Sequence, residues 1–162
     1  MPSNYDFGVK MILIFSFALL GVSCSTSSPP LDKEIYGKVT LNNQWQEITF
    51  KEPLTPERQI SELVIWLAEE KNYCADFPSG KIKTSDGSLM IPEGQIIAQD
   101  GTVYELHSVG LSNTGVTLGG YVPNKTLSIP KDKTYTKVRL RCSQPLVCRQ
   151  IVWRNYNPWD YK

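Results

Sequence analysis

Short alternation of apolar and polar residues is the feature that most restricts how this chain can fold. Residues 35–41 place three apolar side chains on one face of an extended segment, namely Ile35, Val39 and Leu41. Similar short segments follow, separated by glycine, proline and asparagine. Strands of this length with turn residues at this spacing are typical of all-β domains. The pattern predicts an antiparallel, jelly-roll-like β-sandwich over residues 34–162.

The clearest turn in this pattern is Asp100-Gly101. It lies between the alternating segments 95–99 and 102–109. Asp-Gly pairs supply the positive φ angles that tight hairpins require. Later in the chain, residues 135–142 and 148–153 are predicted to form the last two strands of the sandwich.

One segment fits either a helix or a strand. Thr55-Pro56 resembles a helix start, and helical spacing follows over 60–67, which would give one short helix near 56–70. Read as a strand, the run 63–67 is apolar on both faces and rich in aliphatic residues. In an otherwise β chain, that richness favours a buried strand, with the helix as the alternative.

The N-terminal segment has the layout of an export signal. Lys10 precedes ten residues, 11–20, that carry no charge. This run is too short to cross a bilayer but matches the apolar core of a secretory signal peptide. The segment Gly21-Val22-Ser23-Cys24 resembles the lipobox of bacterial lipoproteins, although Gly21 stands where an aliphatic residue is usual. This resemblance implies cleavage before Cys24 and lipidation of its thiol.

The lipobox resemblance divides the chain into three parts. Residues 1–23 are expected to be a signal peptide and residues 24–33 a flexible tether rich in Ser, Thr and Pro. Ser rather than Asp after the modified cysteine implies passage to the outer membrane. We therefore expect a membrane-anchored protein of the cell envelope, in the outer membrane and facing the periplasm.

Charge and composition exclude some classes of function. The 162 residues carry a formal net charge of +1, which argues against a general nucleic-acid binder. Basic residues do cluster towards the C-terminus, and on alternating strand positions they favour a solvated outer face. His107 is the only histidine, and its neighbour Ser108 would point to the opposite face of a strand. The sequence therefore predicts neither an enzyme nor a cofactor.

Three cysteines besides Cys24 would meet an oxidising compartment after export. The preferred disulfide joins Cys142 to Cys148 across a turn, and pairing of Cys74 with one of them is the alternative. In a regular strand, Cys148 and Ile151 would lie on opposite faces. If Ile151 faces the core, the preferred bond therefore requires a β-bulge nearby. Zinc is disfavoured, because there is no CxxC motif and no second histidine.

Four aromatic residues near the C-terminus form the most suggestive cluster, namely Trp153, Tyr156, Trp159 and Tyr161. Flat rings beside amides and carboxylates suit sugar binding, and Trp, Tyr and Arg also dominate protein interfaces. Alternatively, Trp153 ends the last strand in the core and the tail covers a sheet edge. The sequence therefore predicts a non-catalytic module that binds an envelope protein, as an accessory subunit or an inhibitor or immunity protein. The alternative function is a carbohydrate or peptidoglycan binder.

Overall fold

The computed structural model describes residues 29–68, 81–83, 87–112, 114–120 and 129–158, together with the backbone of 74–76. The expectations for the signal peptide, the lipidation site Cys24 and the aromatic residues Trp159 and Tyr161 lie outside the described residues. Within the described residues, no helix has the length and apolar character needed to cross a membrane.

The described part of the chain forms twelve β-strands and no helix. The strands are β1 Leu31–Tyr36, β2 Val39–Leu41, β3 Gln46–Leu54, β4 Ile60–Leu67, β5 Cys74–Asp76, β6 Lys81–Lys83, β7 Leu89–Met90, β8 Pro92–Ala98, β9 Val103–Ser112, β10 Gly115–Gly119, β11 Tyr135–Cys142 and β12 Leu146–Tyr156. All their pairings are antiparallel. The prediction of an antiparallel all-β domain is confirmed.

A nine-stranded sheet with the order β1-β12-β4-β10-β9-β8-β11-β3 contains most of the strands, and β2 pairs with β12 beside this path. The sheet curls until its two end strands approach each other, an arrangement compatible with a sandwich or a barrel. A small separate sheet has the order β5-β6-β7. The inward side chains of the large sheet form one hydrophobic core, whose largest fully buried members include Trp153, Tyr135, Leu63 and Ile65.

Strand β4 confirms the favoured interpretation of the central segment as a strand, and the alternative of a helix is wrong over residues 56–68. β4 lies between β12 and β10, so both of its backbone edges are hydrogen-bonded. Leu63, Ile65 and Leu67 face the core, and Val64 on the opposite face is also buried. A central strand that is buried on both faces needs no alternation, which explains why the sequence pattern was ambiguous.

The ordered domain begins earlier than the sequence predicts. Residues 31–33 were assigned to the flexible tether, yet β1 starts at Leu31, which lies opposite Asn155 of β12. Asp32 accepts two hydrogen bonds from Arg154, at 2.9 and 2.7 Å, and these hold the start of the strand. The sequence did not predict this start for two reasons. Leu-Asp-Lys lacks the alternation of a half-buried strand, and the residues that pair with it on β12 are distant in sequence.

The hairpin predicted at Asp100-Gly101 is present between β8 and β9. Gly101 has a φ angle of 85°, and the amide of Ala98 donates to the carbonyl of Thr102 at 2.9 Å. A Cβ atom at residue 101 would meet no other atom within 4 Å, so the backbone angle alone requires glycine there.

Replacing Gly101 with alanine is expected to lower the free energy of unfolding by about 1 kcal/mol, because a Cβ atom strains the left-handed backbone. Chemical denaturation of the two proteins measures the difference. The matched control is Gly37→Ala, at a glycine without a positive φ angle, where an added Cβ atom makes only an ordinary contact. Equal losses for the two variants would contradict this explanation.

Candidate functional site

The two end strands of the large sheet, β1 and β3, face each other across an open seam. They are neighbours in space but not in the hydrogen-bonded order of the sheet. An ion pair crosses the seam, with Lys33 Nζ 2.8 Å from Glu52 Oε2, and both side chains are largely exposed. Exposed ion pairs contribute little to stability. The outer edges of β1 and β3 are thus left without a strand partner at the seam.

β3 carries a large irregularity beside the seam. Lys137 of β11 lies opposite Thr49, but Tyr135, two residues away, lies opposite Leu54. The four residues 50–53 therefore stand against one residue of β11, so β3 contains three extra residues here. Pro53 lies in this bulge and has no amide hydrogen to donate to a neighbouring strand. The edge of β3 therefore lacks a backbone donor at this position.

Two clefts open along the seam. The larger has a volume of about 310 Å³ and is lined by Leu31, Asp32 and Lys33 of β1, by the end of β3, and by Thr55 and Glu57. The smaller, of about 130 Å³, continues along β1 and the β3 bulge. Trp153 and Asn155 of β12 also line the larger cleft. The clefts are thus bounded by two strand edges and by buried polar side chains.

Trp153 and Asn155 bring hydrogen-bonding groups to the larger cleft. Trp153 is 1% exposed, and its indole Nε1 has no hydrogen-bond partner among the described residues. Asn155 is 3% exposed, and its Oδ1 accepts from Ser61 Oγ at 2.6 Å and from the amide of Glu57 at 3.2 Å. Trp153 Nε1 is thus a buried donor without a partner, which is costly, so its presence beside a cleft points to a ligand with acceptor atoms.

Carboxylates outnumber ammonium groups along the seam. The charged residues that line the two clefts are Asp32, Glu34, Glu52 and Glu57 against Lys33 and Lys51. Two of these carboxylates are paired. Glu52 pairs with Lys33, and Asp32 pairs with Arg154, which does not itself line either cleft. The excess of acidic groups favours a basic occupant over an acidic one.

Trp153 is buried, so its ring does not form part of an exposed stacking surface. It lies opposite Leu63 of β4 and faces the core, where its ring centroid is 6.0 Å from that of Tyr135. The alternative interpretation, in which Trp153 belongs to the core at the end of the chain, describes its position correctly. Its ring face is unavailable for stacking, although its edge reaches the cleft lining.

Tyr156 faces the opposite side of β12 from Trp153 and is half-buried. Its hydroxyl donates to Glu62 Oε2 at 3.3 Å. Glu62 is 8% exposed, and its burial raises its pKa to about 6, against the opposing effects of Arg154 and of the Tyr156 hydroxyl. Tyr156 therefore has a structural partner on the outer face of the sheet and does not line the seam.

Stability is expected to fall as Glu62 ionises. The pKa of its carboxyl is about 6 in the folded protein against 4.5 for the ordinary group, so its contribution is fully present below pH 4.5 and is lost through pH 6. Glu62→Gln should match the native protein at pH 4 and exceed it by about 2 kcal/mol at pH 7.5. Urea unfolding at the two pH values measures this, and a difference that does not change with pH would contradict it.

Cys142 and Cys148 are both buried in the core as free thiols, so the predicted disulfide is not formed in this structure. The bulge that the bond would require is present, because the register of β12 shifts between Cys148 and Gln150. Cys148 and Ile151 therefore both face the core. Burial raises the pKa of both thiols, that of Cys148 to about 12, and the Cys148 thiol donates to the carbonyl of Leu146 at 3.4 Å. Both remain protonated and apolar in character. The side chain of Cys74 lies outside the described residues.

The buried thiols are expected to resist modification in the folded protein, because thiolates and not thiols are the nucleophiles. In a Cys24→Ser, Cys74→Ser variant, Ellman's reagent should detect no thiol under native conditions and two after denaturation. Two thiols missing after denaturation without reductant would mean that Cys142 and Cys148 form the disulfide, contrary to this expectation.

No metal-binding cluster is found in the described residues. Within them, no group of three or more His, Cys, Asp or Glu side chains is placed to hold a metal ion. The basic residues of β11 form a ladder of ion pairs across the outer face, where Lys137 and Arg139 bind Glu47. The two basic side chains thus share one carboxylate on this face.

The seam was missed by sequence analysis. The signal that could have found it is Pro53, since a proline inside an alternating segment indicates an edge strand or a bulge. No protein-family model, curated protein or solved structure matches this chain. Its function is therefore argued from the geometry of the seam and from the N-terminal sequence.

Proposed function

We propose that this protein is a lipid-anchored protein of the cell envelope, held in the outer membrane and facing the periplasm, that binds another envelope protein without catalysing a reaction. The anchor is the lipid on Cys24, and the role is that of an accessory subunit or of an inhibitor or immunity protein. The interaction site is the seam between β1 and β3.

The observation that carries this proposal is the incomplete sheet. Natural β-proteins usually cover or pair the edges of their sheets, because unpaired edges bind other strands. Here two edges are left open around a cleft that contains a buried donor without a partner. These features support a binding role at the seam better than a stacking surface for sugars, since Trp153 is buried.

The position of the seam fits an anchored protein. β1 begins at Leu31, seven residues after Cys24. Seven extended residues span roughly 25 Å, so a lipid on Cys24 would hold the seam close to the membrane surface. The partner surface would therefore also lie near the membrane.

The anchor is tested by intact-mass measurement of protein extracted from membranes, beside a Cys24→Ser variant. The expected chain begins at Cys24 and carries added acyl mass, whereas the variant lacks that mass and leaves the membrane fraction. A chain cut elsewhere without lipid would overturn the anchored part of the proposal.

The interaction is tested by placing the photo-crosslinking residue benzoylphenylalanine at Leu31, which is 42% exposed beside the seam, and at Val103, which is 46% exposed on β9. A discrete protein adduct from residue 31 but not from residue 103 is expected in intact cells. No adduct from residue 31, together with peptidoglycan retention that Trp159→Ala and Tyr161→Ala abolish, would instead establish the carbohydrate-binding alternative.

A further inference from the structure

We propose that the seam binds an extended, basic peptide segment of the partner, which adds as a strand to the free edge of β1 and accepts a hydrogen bond from the indole N–H of Trp153. This inference rests on the proposed function, because it names the chemistry of the partner at the same site. It is supported by the strand edge, the buried indole donor and the charge of the seam.

The free edge of β1 is suited to strand addition. β1 pairs with β12 along Leu31–Tyr36 on one side only. It contains no proline, so the alternate residues whose backbone groups point away from β12 all keep the amide that a new strand can use. The bulged β3 with Pro53 cannot offer an equivalent edge. A peptide of about six residues in extended conformation therefore matches β1 rather than β3.

The buried indole donor fixes where the peptide lies. Trp153 Nε1 has no partner among the described residues, and Trp153 lines the larger cleft beside β1. Backbone carbonyls of an extended peptide are acceptors that recur at a regular spacing, so one segment can meet the β1 edge and this donor together.

The charge of the seam selects a basic segment. Four carboxylates and two ammonium groups line the two clefts, and the Glu57 carboxylate is one of those at the larger cleft. The Lys33–Glu52 pair that crosses the seam is exposed, so an incoming strand can displace it at little cost. A lysine-bearing peptide gains attraction from the remaining acidic groups, and an acidic peptide is repelled.

The test uses fluorescein-labelled nonapeptides of alternating lysine and valine, with the mature domain starting at residue 25. Binding is followed by fluorescence anisotropy and by the indole N–H signal of Trp153 in a ¹⁵N-correlated NMR spectrum, assigned with Trp153→Phe. The basic peptide is expected to shift that signal and to protect β1 amides from exchange. A glutamate–valine peptide is expected to bind at least tenfold more weakly, as is an N-methylated basic peptide.

Two pairs of matched variants separate seam binding from general attraction. Thr55→Trp fills the cleft, and its control Thr40→Trp adds the same exposed ring on β2. Glu57→Lys reverses a cleft charge, and its control Glu105→Lys reverses an exposed charge on β9. Each seam variant is expected to weaken binding about tenfold or more, while each control stays within twofold.

The outcomes distinguish the two proposals. If the basic peptide binds without moving the Trp153 signal, or equally well to the Thr55→Trp variant, peptide addition at the seam is wrong. If residue 31 still crosslinks a partner in that case, the protein-interaction function stands and only the strand-addition mode fails. Equal binding of the acidic and basic peptides would overturn the basic character of the partner.

Discussion

Replacing Ile65 with alanine is expected to lower the free energy of unfolding by about 3 kcal/mol. Ile65 is fully buried at the centre of the large sheet, opposite Ile151 on one side and Val116 on the other. Removing three buried carbon atoms loses their transfer free energy and leaves a cavity that the paired neighbours on both sides cannot fill. Urea unfolding followed by circular dichroism, with an unchanged m value, measures the loss.

The control for this prediction is Leu31→Ala, at a residue of similar size that is largely exposed. Its effect is expected to stay within about 0.5 kcal/mol, as for most surface substitutions. A small effect at Ile65 as well would mean that β4 is not the central strand of the core. The comparison therefore tests the strand assignment of the segment whose sequence also fits a helix.

The outline of the fold could be predicted from local pattern. The range 135–142 was predicted as a strand, and β11 occupies Tyr135–Cys142. The Asp100-Gly101 hairpin was also predicted, because its turn chemistry is contained in two adjacent residues. The pattern of β4 was ambiguous, because this strand lies between two others from distant parts of the chain and is buried on both faces. Its sequence therefore does not show the alternation of a strand with one exposed face.

The candidate site could not be predicted to the same extent. It depends on the meeting of β1 with β3 and on the inward register of β12, which are set by pairing partners far apart in sequence. The sequence left Trp153 open between a binding cluster and the core, because composition does not reveal which face of a strand a side chain occupies. The bulge beside Cys148 could nevertheless be predicted as a requirement of the disulfide, because strand alternation alone places Cys148 and Ile151 on opposite faces of a regular strand.

Trp153 links the stability of the domain to its proposed binding role. Its ring fills the core beside Tyr135, which stabilises the fold, whereas its buried Nε1 lacks a partner among the described residues, which costs stability. A buried donor left without a hydrogen bond costs roughly 1–3 kcal/mol. Phenylalanine would keep most of the packing without that cost. Retention of tryptophan at this position is explained if the N–H is used in binding.

Trp153→Ala is therefore expected to lower the free energy of unfolding by about 4 kcal/mol, and Trp153→Phe by less than about 2 kcal/mol. Circular dichroism in urea measures both losses without relying on tryptophan fluorescence. Equal losses for the two variants would show that the N–H is satisfied in the unbound protein, which removes the argument that it awaits an acceptor. A folded Phe variant that no longer binds the basic peptide would assign the donor to recognition, because packing alone would leave binding unchanged.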